Sequence, residues 1–304
     1  MRVVFMGTPR FAVPSLEALA ARHDVCLVLT APDRPVGRGR TVKSPPVKDV
    51  ADRLGLRVLQ PDTLDGRVLQ EVRAARPDVG CVAAYGKILP AELIDIPRHG
   101  TLNVHASLLP RHRGAAPIER AILEGDAVTG VSIMRVEPTL DTGDVALSVE
   151  VPIGDMDSET LANVLAEEGA RALLRVLDSI EDGSVSWTPQ DDALATYAQK
   201  VTAEDVRLSP ALTVDENARR VRASSRRAPA RLVLDDSPAV VLEIRPAALT
   251  LAPGEVGTDG GLFLGAADGS FEVLRLRPQN RKEMPGDAFV CGLRGEGLAR
   301  WSEA

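Results

Sequence analysis

Aromatic residues make up only 3% of the 304-residue chain. A protein that splays a single strand and stacks its bases needs a row of such rings, so that class is disfavoured. Leu, Val, Ala and Ile must instead fill the core. Cysteine is also scarce: Cys26, Cys81 and Cys291 stand far apart with no CxxC pair, and only His23 lies near one of them. That pattern supports neither a disulfide framework nor a zinc site, and reduced cytosolic thiols are the plain reading. No apolar run approaches ~18 residues, so no membrane span is expected. The opening MRVVFMGTPRF holds an apolar stretch too short for a signal peptide. The turn after the first apolar run reads GTPRF where a dinucleotide fingerprint would read GxGxxG, which argues against a nicotinamide cofactor. A net charge of -7 argues against binding nucleic acid, DNA included, through the whole surface, yet leaves room for a local basic patch. Internal repeats and low-complexity tracts are absent. These absences leave a cytoplasmic globular protein, expected to work as a monomer.

What is present suits one large or two ordinary domains, with 44% hydrophobic and 26% charged residues. Over the first 150 or so residues, short continuous apolar runs at 3–6, 25–30, 56–59, 79–84 and 101–104 alternate with helical spacing at 14–22, 46–54 and 69–75. That order predicts an α/β fold, a Rossmann-like open, mostly parallel sheet with helices on both faces. Such sheets place their sites at the carboxyl ends of the strands. A strand pair follows at 130–136 and 144–151, and then a long helix over 158–180 with Ser158 as its N-cap. Residues 181–207 lose periodicity and suggest a linker. From about Leu208, a short helix precedes short strands at 231–234, 240–244, 261–264 and 271–276, the pattern of a small, OB-like β-barrel. The expected division is 1–183, a linker at 184–207, and 208–304.

Residues 103–117 read NVHASLLPRHRGAAP. Asn103 and His105, two apart on a strand, share a face. An imidazole can take and return a proton near neutrality, a carboxylate such as Asp141 in TLDTGDV can fix its orientation, and a carboxamide can donate to a developing oxyanion. Taken by spacing alone, a histidine on a strand is more often a satisfied structural group, and Asp141 fits an Asx-turn equally well.

The run NVHASLLPRHRGAAPIERAI, with LDTGDV following from Leu140, closely resembles the signature of the folate-dependent formyltransferases. VFMGTPRFAVPSLEAL, PDRPVGRGRTVKSPPVK, VAAYGKILP and TYAQKVTAED are similar to the branch of that family whose acceptor is initiator methionyl-tRNA. The likeness covers residues 1–205 well and the remainder loosely. It implies formyl transfer from 10-formyltetrahydrofolate to the α-amine of methionine on that tRNA, with no metal. By the same resemblance Asn103 holds the formyl oxygen, His105 shuttles the proton, and Asp141 orients or polarises His105. Ser107, Leu108, Leu109 and Pro110 would shape the folate site, and Tyr85, Gly86, Ile88, Leu89 and Pro90 would wall its pterin side.

Two basic stretches bear on the acceptor. APDRPVGRGRTVKSPPVK carries Arg34, Arg38, Arg40, Lys43 and Lys48 against Asp33 alone, in a loop marked by Gly and Pro. The family's similar loop meets the acceptor end of the tRNA, which implies that role for Arg34, Arg38, Arg40 and Lys43. ARRVRASSRRAPAR, residues 218–231, holds six arginines and no acid. Helical spacing would put Arg219, Arg222 and Arg226 on one side, toward phosphates. A charge run is also the ordinary make-up of a solvated face. The RHRGAAP tail is expected at the acceptor entrance.

The chain departs from the family pattern at Arg10, His112 and Glu119, and in SSRRAPARL. The trio does not separate this reading from a formyltransferase for an amino-sugar nucleotide or glycinamide ribonucleotide, or from a hydrolase that releases formate. An intact trio argues against a non-catalytic RNA-binding protein on the same fold.

Overall fold

The computed structural model describes residues 1–36, 41–293 and 298–304. The chain divides into two compact units, one of Met1–Pro117, Val128–Pro152 and Leu161–Ala198, the other of Ile118–Ala127, Ile153–Thr160 and Gln199–Ala304. In chain order the elements begin with β1 (Arg2–Gly7), α1 (Val13–Arg22), β2 (Asp24–Leu29), β3 (Arg34–Val36), β4 (Thr41–Lys43), α2 (Pro46–Arg53) and β5 (Val58–Leu59). Next come α3 (Gly66–Ala75), β6 (Val79–Ala83), α4 (Ala91–Ile94), β7 (Thr101–His105), β8 (Arg113–Gly114) and α5 (Pro117–Glu124). β9 (Val128–Arg135), β10 (Val145–Pro152), α6 (Ser158–Glu181) and β11 (Tyr197–Ala198) follow.

The first unit is a seven-stranded sheet in the order β10-β9-β7-β6-β1-β2-β5. The strands from β5 to β7 pair in parallel, while β9 and β10 are antiparallel additions at one edge. β1 and β6 are buried along nearly their whole length, as inner parallel strands with both faces covered must be. Met6 pairs with Val82 and Val82 with Asn103, so the three share a face. Met6 and Val82 cluster there with Val68 and Val72 of α3 and Leu93 of α4. The opposite face carries α6: a Cβ built on Gly169 would come within 2.5 Å of Val104 Cγ1, so only glycine lets the helix lie this close. Helices thus cover both faces, and Asn103 and His105 point to the α3 side.

Two local readings change. The cap of α6 is Asp157, whose carboxylate accepts from the Thr160 N–H at 2.8 Å, while Ser158 is already the first helical residue. The stretch read as a linker is partly bonded into the first unit. Thr188 forms a bridge to Val145, and β11 pairs in parallel with β8. Two-residue pairings of this kind leave no periodicity for sequence reading to detect.

The second unit contains α7 (Val214–Ala223), β12 (Arg231–Leu234), β13 (Ser237–Ala247), β14 (Val256–Gly257), β15 (Phe263–Ala266), β16 (Gly269–Pro278), β17 (Met284–Pro285), α8 (Gly286–Cys291) and β18 (Trp301–Ser302). Thr213 and Glu216 form a reciprocal capping box that starts α7. The strands run antiparallel in the order β14-β15-β16-β13-β12-β18. The two ends of that order approach each other through a Glu255–Arg300 bridge and the Trp301 N–H bonded to Gly254 O at 2.9 Å, giving a nearly closed barrel. Its core holds Leu232, Val241, Leu264 and Phe271, with Trp301 edge-on to Phe271 at 5.7 Å and its indole N–H bonded to Gly265 O. Among the described residues, no helix is long and apolar enough to cross a membrane.

Candidate active site

β6 and β7 are parallel neighbours, so the loops that follow them leave from the same carboxyl edge. In the loop after β6, Tyr85 and Leu89 are buried while Ile88 is 87% exposed. Gly86 also faces solvent and takes φ 80°, which suits glycine. The Tyr85 hydroxyl is enclosed with no hydrogen-bond partner among the described residues, and burial pushes its pKa up to about 12.

The SLLP turn after β7 contains a cis Leu109–Pro110 bond and rests on Ser132 of β9. Ser132 is fully buried: its hydroxyl donates to Ser107 O at 2.8 Å, accepts from the Leu109 N–H at 3.1 Å, and lies 3.0 Å from the Ser148 hydroxyl of β10. The Ser107 hydroxyl in turn donates to Arg111 O at 2.6 Å. One serine from a neighbouring strand therefore fixes both ends of the turn.

His105 ends β7. Its Nε2 lies 3.0 Å from the His112 carbonyl, and a carbonyl only accepts, so this nitrogen carries a proton and donates it. Nδ1 is left to exchange protons and faces Asp141 Oδ2 at 3.7 Å. That separation is an ion-pair distance rather than a hydrogen bond. The two side chains are only 6% and 11% exposed, so water screens the pair little. Asp141 Oδ2 also accepts from the Gly114 N–H at 2.9 Å. Asp141 takes φ 54°, a left-handed conformation that Asp adopts more readily than most residues. Asn103 is half-buried two residues back on the same face of β7. The structure therefore brings the His105 imidazole and the Asp141 carboxylate together where water has little access, with the Asn103 carboxamide two residues back on the same strand face.

The formyl transferase family model matches residues 1–177, and the formyl transferase C-terminal domain model matches residues 200–294. The chain belongs to the formyltransferase family. A methionyl-tRNA formyltransferase from Methylobacillus flagellatus is 41% identical over 297 residues, 96% of each chain. One from Bordetella pertussis is 44% identical over 311 residues, covering 96% of this chain and 99% of that one. Among solved structures, HypX from Aquifex aeolicus in complex with tetrahydrofolic acid has the same fold at a TM-score of 0.67 and 20% identity, over 98% of this chain and 48% of that one. An N-formyltransferase from Helicobacter canadensis, with folinic acid and dTDP-3-aminofucose bound, has a TM-score of 0.68 at 16% identity, over 90% of this chain and 98% of that one.

The basic residues are placed less uniformly. Arg38 and Arg40 lie outside the described residues. Arg34 and Lys43 are opposite each other in the antiparallel β3–β4 pair and are exposed. Lys48 bonds Asp33 at 2.6 Å, and the bonds from Lys48 and Gln60 hold the Asp33 carboxyl below the usual range. α7 stops at Ala223, so Arg226 does not share a helical face with Arg219 and Arg222, and it stands exposed with Arg227. The helix arginines already have partners. Arg219 reaches Asp215 at 3.3 Å, Arg222 donates to Gly154 O at 2.6 Å, and Arg220 bonds Arg207 O.

Sequence reading missed Gly114, Ser132 and Gln190, and it expected Arg113 at an open entrance. The Arg113 side chain is only 2% exposed and bonds Gln190 and Asp192. Nothing in a single sequence marks a main-chain N–H as a ligand to a carboxylate 27 residues away.

Proposed function

We propose that this formyltransferase moves the formyl group of 10-formyltetrahydrofolate to the α-amine of methionine on initiator methionyl-tRNA, with Asn103, His105 and Asp141 as its reacting centre. The observation that carries the reading is the Asp141 carboxylate 3.7 Å from His105 Nδ1, with Asn103 two residues back on the same face of β7. Relatives of that name that match 96% of the chain favour the tRNA acceptor over a free sugar amine or water. The amine nitrogen attacks the formyl carbon, His105 Nδ1 takes the proton released, and that proton passes to the departing folate nitrogen. Asn103 donates to the formyl oxygen as it gains charge. Asp141 stabilises the transient imidazolium. The scheme calls for no metal.

The Tyr85–Pro90 loop and the Ser107–Pro110 turn would hold the folate, consistent with an enclosed Tyr85 hydroxyl and an exposed Ile88 beside it. Arg34, Arg38, Arg40 and Lys43 would meet the acceptor end of the tRNA. Of Arg219, Arg222 and Arg226, the last is the best placed, because the other two must first exchange a partner within the chain. The reaction is assigned to the cytoplasm.

The test offers charged initiator tRNA, free amino sugar and water to the enzyme in parallel and follows the formyl group. Transfer to the tRNA should dominate. A sugar amine formylated at a matching rate, or release as formate alone, defeats the assignment.

A further inference from the structure

We propose that Gln190, anchored by the buried Arg113, is the positioning residue that delivers Asp141 to His105. The inference rests on the reading of Asp141 as the partner of His105. Asp141 arrives from the wrong end of the sheet. β9 ends at Arg135, opposite Leu102, and the Val136 N–H still bonds Thr101 O, four positions short of His105. That is about 13 Å along the strand, so the loop must carry the carboxylate back across the sheet face.

No regular structure in residues 136–144 does this, and Asp141 itself holds a left-handed backbone. The Gln190 carboxamide does. Its nitrogen donates to Asp141 O at 2.9 Å and to Gly143 O at 2.7 Å, spending both protons on the two carbonyls that flank the bend. Its oxygen accepts from Arg113 Nε at 3.0 Å and Nη2 at 2.9 Å. A carboxamide with a guanidinium on one side and two carbonyls on the other has a single satisfiable orientation. Arg113 is held in turn by Asp192 at 2.8 Å. Burial opposes its charge, but hydrogen bonds with Asp192 and Tyr197 outweigh it and raise its pKa.

The main chain adds a second hold. Gly114, next to Arg113, donates to Asp141 Oδ2, so one dipeptide grips the carboxylate directly and the loop backbone through Gln190. A mere brace would also be buried and satisfied. What distinguishes positioning is that the effect must pass through Asp141.

Gln190→Glu keeps the side-chain length and the Arg113 contact and removes both donors. Gln190→Met removes them without adding charge. Each should lower kcat about 10- to 100-fold, the size expected when a reacting group is displaced by about 1 Å, while KM for folate and for tRNA stays within about 2-fold. The same substitutions are then made in Asp141→Asn, which should itself be slow. There they should change kcat by less than about 2-fold, because coupled residues do not add. Losses that multiply in full would overturn the positioning role while leaving the catalytic reading of Asp141 intact. A fully active Asp141→Asn enzyme would overturn both.

Discussion

His105 and Asp141 are tied to main-chain groups at 3.0 and 2.9 Å and nearly closed off from water, whereas Arg226 and Arg227 stand in solvent. Chemistry at a formyl carbon needs donors fixed to fractions of an ångström, since their benefit depends on needing no reorganisation at the moment of reaction. Phosphate recognition works through a longer-ranged field and gains from side chains that can follow the ligand. Under the proposed function, the fixed polar groups serve the reaction and the free ones serve docking. By that measure Arg219 and Arg222 sit between the two.

The most forceful way to break the comparison is at the fixed end. His105→Ala and Asn103→Ala should each lose at least about 10²-fold in turnover while the enzyme stays folded, measured by single-turnover formyl transfer alongside circular dichroism. Near-normal turnover in either would remove the distinction. A gentler probe presses on the centre from beneath. Gly169→Ala places a methyl group within 2.5 Å of Val104 Cγ1, between the two strand positions proposed as catalytic. It should cost about 1–3 kcal/mol by denaturant melting, with a drop in kcat. An unchanged kcat would mean that the centre does not feel packing from α6.

At the solvent-facing end, Arg226→Ala with Arg227→Ala should raise KM for tRNA several-fold and reduce the slope of its logarithm against log salt by about 2, one for each phosphate left without its arginine. Arg219→Ala with Arg222→Ala should change that slope less and the melting temperature more. The reverse ranking would show that the helix arginines give up their internal bonds on binding.

The smallest effect concerns Tyr85. Its folded pKa of about 12 lies above the ordinary 10, so the buried neutral ring contributes stability that is whole below pH 10 and is lost as pH rises through 12. Tyr85→Phe should melt like the parent at neutral pH and resist alkaline unfolding better, by at most about 3 kcal/mol. Equal alkaline sensitivity in the two proteins would indicate that the hydroxyl has access to water.

Much of the fold was legible beforehand for a physical reason. β1, β2, β6 and β7 are buried on both faces and therefore read as continuous apolar runs, and residues 3–6 and 101–104 stand out without any partner in view. Asn103 and His105 could be placed on one face by strand alternation. Asp141 could not, because its approach depends on a loop crossing the sheet, and only family resemblance brought it in. β8 and β11 escaped notice because two-residue strands have no period. Gln190 escaped because a carboxamide in a run of small and acidic residues looks like solvent-facing loop until its three partners are seen.

Four of the atoms that organise the centre are main-chain atoms: the His112, Asp141 and Gly143 carbonyls and the Gly114 amide. Replacing the side chain that such an atom's residue bears does not delete the bond, so each bond is cut from its other end, at His105, Asp141 or Gln190, while an amide-to-ester exchange at 114 would remove the Gly114 donor alone and leave every side chain in place. The same fact bears on position 112, where the chain departs from the family pattern. The carbonyl that secures His105 belongs to the main chain, so what a substitution at 112 must preserve for His105 is the left-handed backbone, φ 56°, that aims it.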